Sequence, residues 1–235
     1  SKSKGNVVTP LGLLEEHGSD AVRYWAASAR LGTDAAFDVG QMKIGRRLAI
    51  KVLNASKFAL SFATGPVTLD PSAVTVPLDK AVLGNLANVV EQATAALEAY
   101  DHTRALEVTE TFFWTFCDDY LELAKERAYG GGEADASPET ISARATLALA
   151  LDTLLRLLAP VLPFATEDVW SWWREGSIHL APWPVAEPLR VAAGDQDLGT
   201  LEVAGTALAR LRQVKSEAKT TMRTIRAAEV SRQDE

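Results

Sequence analysis

Apolar residues recur at helical spacing over several long stretches of the chain. Leu83, Leu86, Val90, Ala93 and Leu97 step by three or four, as do Leu147, Leu151, Leu154, Leu155 and Leu158, so each run turns one stripe inward. The second run marks its helix as the most buried element. Punctuation by caps and breakers divides the rest. Thr9-Pro10 opens a short helix closing at His17-Gly18. Ser19 is expected to cap a second helix to about Arg30. Asp38 with Gln41 resembles a capping box opening a long helix to about Thr64. Residues 66–78, with Pro66, Pro71 and Pro77, read as a loop, after which Asp79 is expected to cap a helix to Asp101-His102. Further helices are predicted over Thr103–Tyr129, from Ser137-Pro138 to Leu158, over Pro163–Trp173 and from Asp197 to about Lys219. Ile178-His179-Leu180 reads as extended, and the small, polar stretch Val191–Gln196 marks a boundary. Long helices joined by short turns predict an all-α helix bundle.

Composition narrows the function classes. The chain has 235 residues, 47% of them hydrophobic, which allows one large domain or one domain with an appendage. Its net charge of -7 means that any nucleic-acid site must be a local basic patch. One cysteine, Cys117, excludes an intrachain disulfide and fits a reducing compartment, so a cytoplasmic location is expected. No apolar run is long enough for a bilayer, and His17, His102 and His179 lack metal-ligand spacing, so neither a membrane partner nor a metal is expected.

A local basic patch is present. Between Asp38 and Asp70 there is no acidic residue, yet Lys43, Arg46, Arg47, Lys51 and Lys57 all fall there. At 100° per residue they share an arc of about 140°, with Ile44, Leu48, Val52, Ala55 and Ala59 opposite. Asn54 lies inside the arc and Phe58 at its edge. Cations beside an aromatic suit a single-stranded RNA loop, which offers phosphates and unstacked bases. A solvated basic face with Phe58 turned into the core is the competing reading. Asp118, Asp119, Glu122 and Glu126 share another arc, read as a solvated face, with Cys117 among the core aromatics. Trp170, Trp172 and Trp173 read as packing residues, with an RNA platform as the alternative. The opening Ser1-Lys2-Ser3-Lys4-Gly5-Asn6 suits either a phosphate contact or a solvated end. A basic tail runs through Arg210, Arg212, Lys215, Lys219, Arg223 and Arg226.

Several ordered motifs resemble one family. Ser1-Lys2-Ser3 matches the last three positions of the KMSKS signature of class I aminoacyl-tRNA synthetases, and Lys4-Gly5-Asn6 continues it. Leu53-Asn54-Ala55-Ser56-Lys57-Phe58, Phe116-Cys117-Asp118-Asp119-Tyr120-Leu121-Glu122 and Leu158-Ala159-Pro160-Val161-Leu162-Pro163-Phe164-Ala165-Thr166-Glu167-Asp168-Val169-Trp170 are similar to the anticodon-binding region of the isoleucyl, leucyl and valyl members, as are Ser177-Ile178-His179-Leu180 and Trp183-Pro184. Gly32-Thr33-Asp34 before Phe37, and Lys215-Ser216-Glu217-Ala218-Lys219, look most like the valyl branch. Leu53 stands where that family usually has tryptophan, Thr9 where it has aspartate, and Asp119 where it has an aromatic residue.

The resemblance implies an anticodon-binding bundle with a short N-terminal stem segment and a C-terminal helical appendage. Residues 1–40 would end a catalytic core, 41–190 would form the bundle, and 191–235 a last helix with its tail. It also implies a fragment, because the HIGH motif, nucleotide-binding sheet and editing domain are not in the chain. As a catalytic remnant, Lys2 would meet charge developing on the pyrophosphate of ATP, supported by Ser3 and Lys4. The partners would be tRNA(Val), with valine and ATP in the intact, monomeric enzyme. Lys43, Arg46, Arg47, Lys51, Asn54, Lys57 and Phe58 would face the tRNA. The isoleucyl counterpart and a helical interaction module without RNA remain alternatives.

Overall fold

The computed structural model describes residues 10–34, 36–62, 67, 69–130 and 136–218, and every regular element among them is helical. In chain order these are α1 (Pro10–His17), α2 (Ser19–Ala27), α3 (Val39–Leu60), a 3-10 turn (Pro71–Ala73), α4 (Pro77–Glu98), α5 (His102–Thr115), a π turn (Phe116–Tyr120), α6 (Leu121–Tyr129), α7 (Pro138–Leu158), α8 (Pro163–Ser171), a second 3-10 turn (Ile178–Leu180), α9 (Glu187–Ala193) and α10 (Gly199–Glu217).

The predicted apolar stripes form the core. Val82, Leu83, Leu86 and Val90 of α4 pack with Leu147, Leu151, Leu154 and Leu158 of α7, and with Phe112, Phe113 and Phe116 from α5 and the π turn. Asp38 caps α3, its Oδ1 accepting from the N–H of Gly40 (2.7 Å) and Gln41 (3.3 Å). Ser137 likewise caps α7 by accepting from the Thr140 N–H.

Four expectations are corrected. Gly18, at φ 87°, precedes α2, and Ser19 is the first helical residue and makes no cap; α2 ends at Ala27, short of Arg30. Ile178–Leu180 is a 3-10 turn held by Ser177, whose Oγ accepts from the His179 N–H. The helix expected over Thr103–Tyr129 is interrupted by the π turn, an extra-residue widening that costs backbone regularity and is favoured where side chains need reaiming.

The fourth correction concerns Asp79. Pro77, with no N–H to donate, takes the first helical position of α4 and places Asp79 in its first turn rather than at its cap. Its carboxylate, 0% exposed, accepts from Tyr120 Oη (2.9 Å), Ser142 Oγ (2.7 Å) and both terminal nitrogens of Arg127 (2.7 and 2.8 Å). Ser142 Oγ in turn accepts from the N–H groups of Thr75 and Val76, so a residue of α7 satisfies the start of α4. One buried charge thereby joins α4, the π turn, α6 and α7.

Two helix pairs approach closely through glycine. A Cβ on Gly45 of α3 would lie 2.5 Å from Tyr24 Cβ, and one on Gly84 of α4 would lie 2.3 Å from Leu198. The first contact seats α2 on α3 and the second seats the start of α10 on α4. Asp20 of α2 also accepts from the N–H of Phe164 (3.1 Å) and Ala165 (2.7 Å), capping α8 from another helix. Tyr24 Oη donates to Glu110 of α5 at 2.7 Å. Residues expected to form a stem are thus bonded into the bundle.

Candidate nucleic-acid interface

Helix α3 buries Met42, Gly45, Leu48, Val52, Ala55, Ser56 and Ala59, and the opposite face carries the basic residues. Lys43, Arg46, Arg47, Asn54 and Lys57 are exposed, and Lys51 is half-buried. The helix lies between α1, α2 and α8 on one side and the π turn and α6 on the other. Each edge of its cationic arc is tied to a neighbour. On one side Arg46 Nη1 donates to the Glu16 carbonyl at 2.7 Å, and Lys57 Nζ lies 6.0 Å from the Trp172 ring. On the other side Lys51 Nζ donates to Asp118 Oδ1 at 2.9 Å, while Arg47 and Lys51 stand 6.0 and 5.6 Å from the Trp114 ring. Lys43 and Asn54 occupy the middle, facing solvent.

The structure therefore keeps the cationic face but corrects its unopposed charge, because Lys51 is paired. The acidic arc stays largely at the surface but is partly paired: Asp118, still exposed, holds Lys51, half-buried Asp119 pairs with Arg212 of α10 at 3.5 Å, and Glu122 and Glu126 are exposed. Arg212 also donates to the Asp118 carbonyl. The π turn is thus the junction between α3 and α10. Spacing could not reveal this, since it brings together residues 67 and 94 positions apart.

Phe58 is half-buried and packs edge-on against Phe62 (5.1 Å) and Tyr129 (6.0 Å), while touching the core. Its ring is already engaged, which favours the packing reading for this residue. Lys2, Ser3 and Lys4 lie outside the described residues, as does the tail from Lys219 onward.

Other titratable groups have packing roles. Burial pushes the Cys117 thiol up to about 12, and this makes it a poor nucleophile at neutral pH. His102 Nε2 lies 3.1 Å from the Ala29 carbonyl and His179 Nε2 lies 3.2 Å from that of Pro163. Among the described residues no group of His, Cys, Asp and Glu is placed to hold a metal, and no helix is long and apolar enough to cross a membrane.

The Lys51–Asp118 pair gives a direct test of the face. Asp118→Asn removes the one ion pair that Lys51 makes among the described residues, and one negative charge beside the arc. The pair is largely solvated, so a stability loss below about 1 kcal/mol is expected. RNA affinity should rise about threefold or more, and the plot of log K against log salt should steepen by about 0.7–0.9 as one more cation reaches phosphate. Filter binding across a salt series measures both, and an unchanged slope would remove Lys51 from the interface.

Comparison with known proteins follows the same lines. A family profile described as the anticodon-binding domain of tRNA ligase matches residues 79–232, so α3 itself precedes the matched stretch. The valine–tRNA ligase of Thermobifida fusca is 61% identical over 232 residues, covering 99% of this chain and 25% of that protein. That of Leifsonia xyli is 61% identical over 227 residues, covering 95% of this chain and 26% of its own length. The chain thus spans about a quarter of these relatives. Among solved structures, an Agrobacterium radiobacter leucyl-tRNA synthetase in a ternary complex with tRNA aligns with TM-score 0.59 at 23% identity, over 83% of this chain and 23% of its own. The Mycobacterium tuberculosis methionyl-tRNA synthetase aligns with TM-score 0.53 at 18% identity, over 81% and 38%. These two likenesses concern the fold, which is the helical bundle described above. By the profile match over most of its length, the chain belongs to the anticodon-binding domain family of tRNA ligases.

Proposed function

We propose that this chain is the tRNA-recognition part of a valine–tRNA ligase and that its α3 face grips the anticodon stem and loop of tRNA(Val). The observation that carries the reading is the acid-free α3, which exposes Lys43, Arg46, Arg47, Asn54 and Lys57 in a protein of net charge -7. Identity to valine–tRNA ligases along nearly the whole chain supports the choice of amino acid. The lysines and arginines would neutralise phosphates, which fixes position and register without reading sequence. Asn54, with an amide that both donates and accepts, is the α3 side chain suited to a base edge.

The segments divide by role: 1–40 would end the catalytic core, 41–190 would bind tRNA, and 191–235 would be appended. Helices α3 and α9 run across the two boundaries, so the segments share packing. In the complete ligase, Lys2 would place positive charge where the pyrophosphate of ATP departs, with Ser3 and Lys4 beside it, an electrostatic rather than acid–base contribution. Valine and ATP would be substrates of that enzyme, which we place in the cytoplasm as a monomer.

An anticodon exchange tests the reading. The 235-residue chain is titrated with transcripts of tRNA(Val) and tRNA(Ile), and with each bearing the other's anticodon. Binding that follows the valine anticodon by about tenfold or more, as expected for loss of specific base contacts, supports it. Preference for the isoleucine anticodon would move the chain to the isoleucyl enzymes. Equal, weak binding to all four at moderate salt would reject anticodon recognition.

A further inference from the structure

The face described above lacks one component that single-stranded RNA recognition uses, an open aromatic surface, because Phe58 is spent on Phe62 and Tyr129. Trp114, Tyr129 and Trp172 also touch side chains of this face of α3. Trp114 is half-buried, donates Nε1 to Glu110 (3.1 Å) and is covered by Arg47 and Lys51. Tyr129 is exposed but makes edge contacts to both phenylalanines and follows Glu122 and Glu126 on α6, which would repel a phosphate chain. Trp172, at the end of α8, differs from both.

Trp172 is 40% exposed, whereas its neighbours turn inward. Trp170 is buried, and Trp170 and Trp173 pack edge-on at 6.1 Å with the Arg174 guanidinium against both rings. Among the described residues Trp172 forms no ring pair. Its recorded ring contact is with the Lys57 ammonium at 6.0 Å, the outer limit of a cation–π interaction. Lys57 is exposed, and among the described residues no carboxylate lies within 4.0 Å of its ammonium. One turn back on α3 stands Asn54, also exposed. A free cation, an open indole and an amide thus follow one another along the edge of the phosphate-binding face.

We propose that Trp172 is the stacking platform of this interface. An unpaired nucleobase lies on its indole, and Lys57 leaves the ring for the flanking phosphate. The weak ammonium–indole contact is easily surrendered, and every base has a π face, so the site takes single-stranded RNA without selecting its sequence. The assignment rests on the proposed tRNA-binding function and adds the residue that caps the end of α8 to an interface otherwise drawn on α3.

The test compares the full chain with Trp172→Ala, Trp172→Leu and Trp172→Phe, each confirmed folded by its melting curve, in titrations of a tRNA(Val) transcript across a salt series. Stacking predicts that alanine and leucine weaken binding about five- to a hundred-fold, that phenylalanine recovers most of the loss, and that the salt slope is unchanged, since no cation is removed. Leucine retains apolar volume without a π face, so leucine binding like wild type would show packing and overturn the proposal. It is equally overturned if alanine and leucine both bind within about twofold of wild type, or if the slope falls as it does for Lys57→Ala. Failure at Trp172 alone leaves the tRNA reading in place when reversing the α3 charges still abolishes binding. A wild-type chain that binds no tRNA removes both.

Discussion

Asp79→Ala is expected to destabilise the chain by about 3–5 kcal/mol, the range found when one partner of a buried ion pair is removed. The loss exceeds that of one hydrogen bond because the carboxylate is the common acceptor for Tyr120, Ser142 and Arg127. Without it the guanidinium loses its bidentate partner, and two hydroxyls inside the bundle lose theirs. Thermal unfolding should show a fall of about 6–20 °C, given about 2–4 °C per kcal/mol for a domain of this size. Tyr120→Phe should cost only about 1–1.5 kcal/mol, the range for a single hydrogen bond. The double variant should lose less than the sum, because both remove the same contact. A melting point for Asp79→Ala within about 2 °C of wild type would show that the network contributes little.

The same network fixes a direction in pH. Burial, and then the charge of Asp79, push the Tyr120 phenol well above its usual range near 10. In the unfolded chain the phenol ionises near 10, whereas in the folded chain it stays protonated. The unfolded state then binds fewer protons, so this contribution is present below pH 10 and falls as pH rises above it. Tyr120→Phe should flatten that alkaline loss.

Reversing three α3 charges together, Lys43→Glu, Arg47→Glu and Lys57→Glu, is expected to lower tRNA affinity about a hundred-fold or more at low salt. Three phosphate contacts would be lost and three repulsions added, and the salt slope should shrink by about 2–3. These positions are chosen because all three side chains are exposed and, among the described residues, none is in an ion pair. Lys51 is left out deliberately. A glutamate there would face Asp118 and could weaken the junction between α3 and the π turn, which would confuse a binding defect with a folding one. A folded triple variant with unchanged affinity and slope would move the RNA interface away from α3.

Much of the bundle was legible in the sequence because its signals are local. The caps at Asp38 and Ser137, the opening of α8 at Pro163 and the stripe of Leu147 to Leu158 each act within a turn or two of their own helix. The cationic arc was legible for the same reason, since helical rotation alone gathers residues 43 to 57 on one side. Helix ends were less secure where two signals competed. Asp79 and Ser19 are good cap residues in type, but Pro77 and Gly18 had already set where the helices begin.

What each side chain faces was decided by tertiary structure. Asp118, exposed as its helical arc suggested, receives Lys51 from α3, and Asp20 caps α8, partners that no local pattern names. The surroundings of Phe58 and Trp172 were decided in the same way. On sequence alone each had two readings, Phe58 as the aromatic beside the cations or as a core residue, and Trp172 as a packing residue or part of an RNA platform. The fold spends Phe58 on Phe62 and Tyr129, and leaves the Trp172 ring open beside Lys57. Sequence periodicity determined which residues share a helix face, because that depends on backbone rotation alone. Partnerships, and with them the free charge and free aromatic surface a ligand can use, depend on which helices pack together, and only the folded chain sets that.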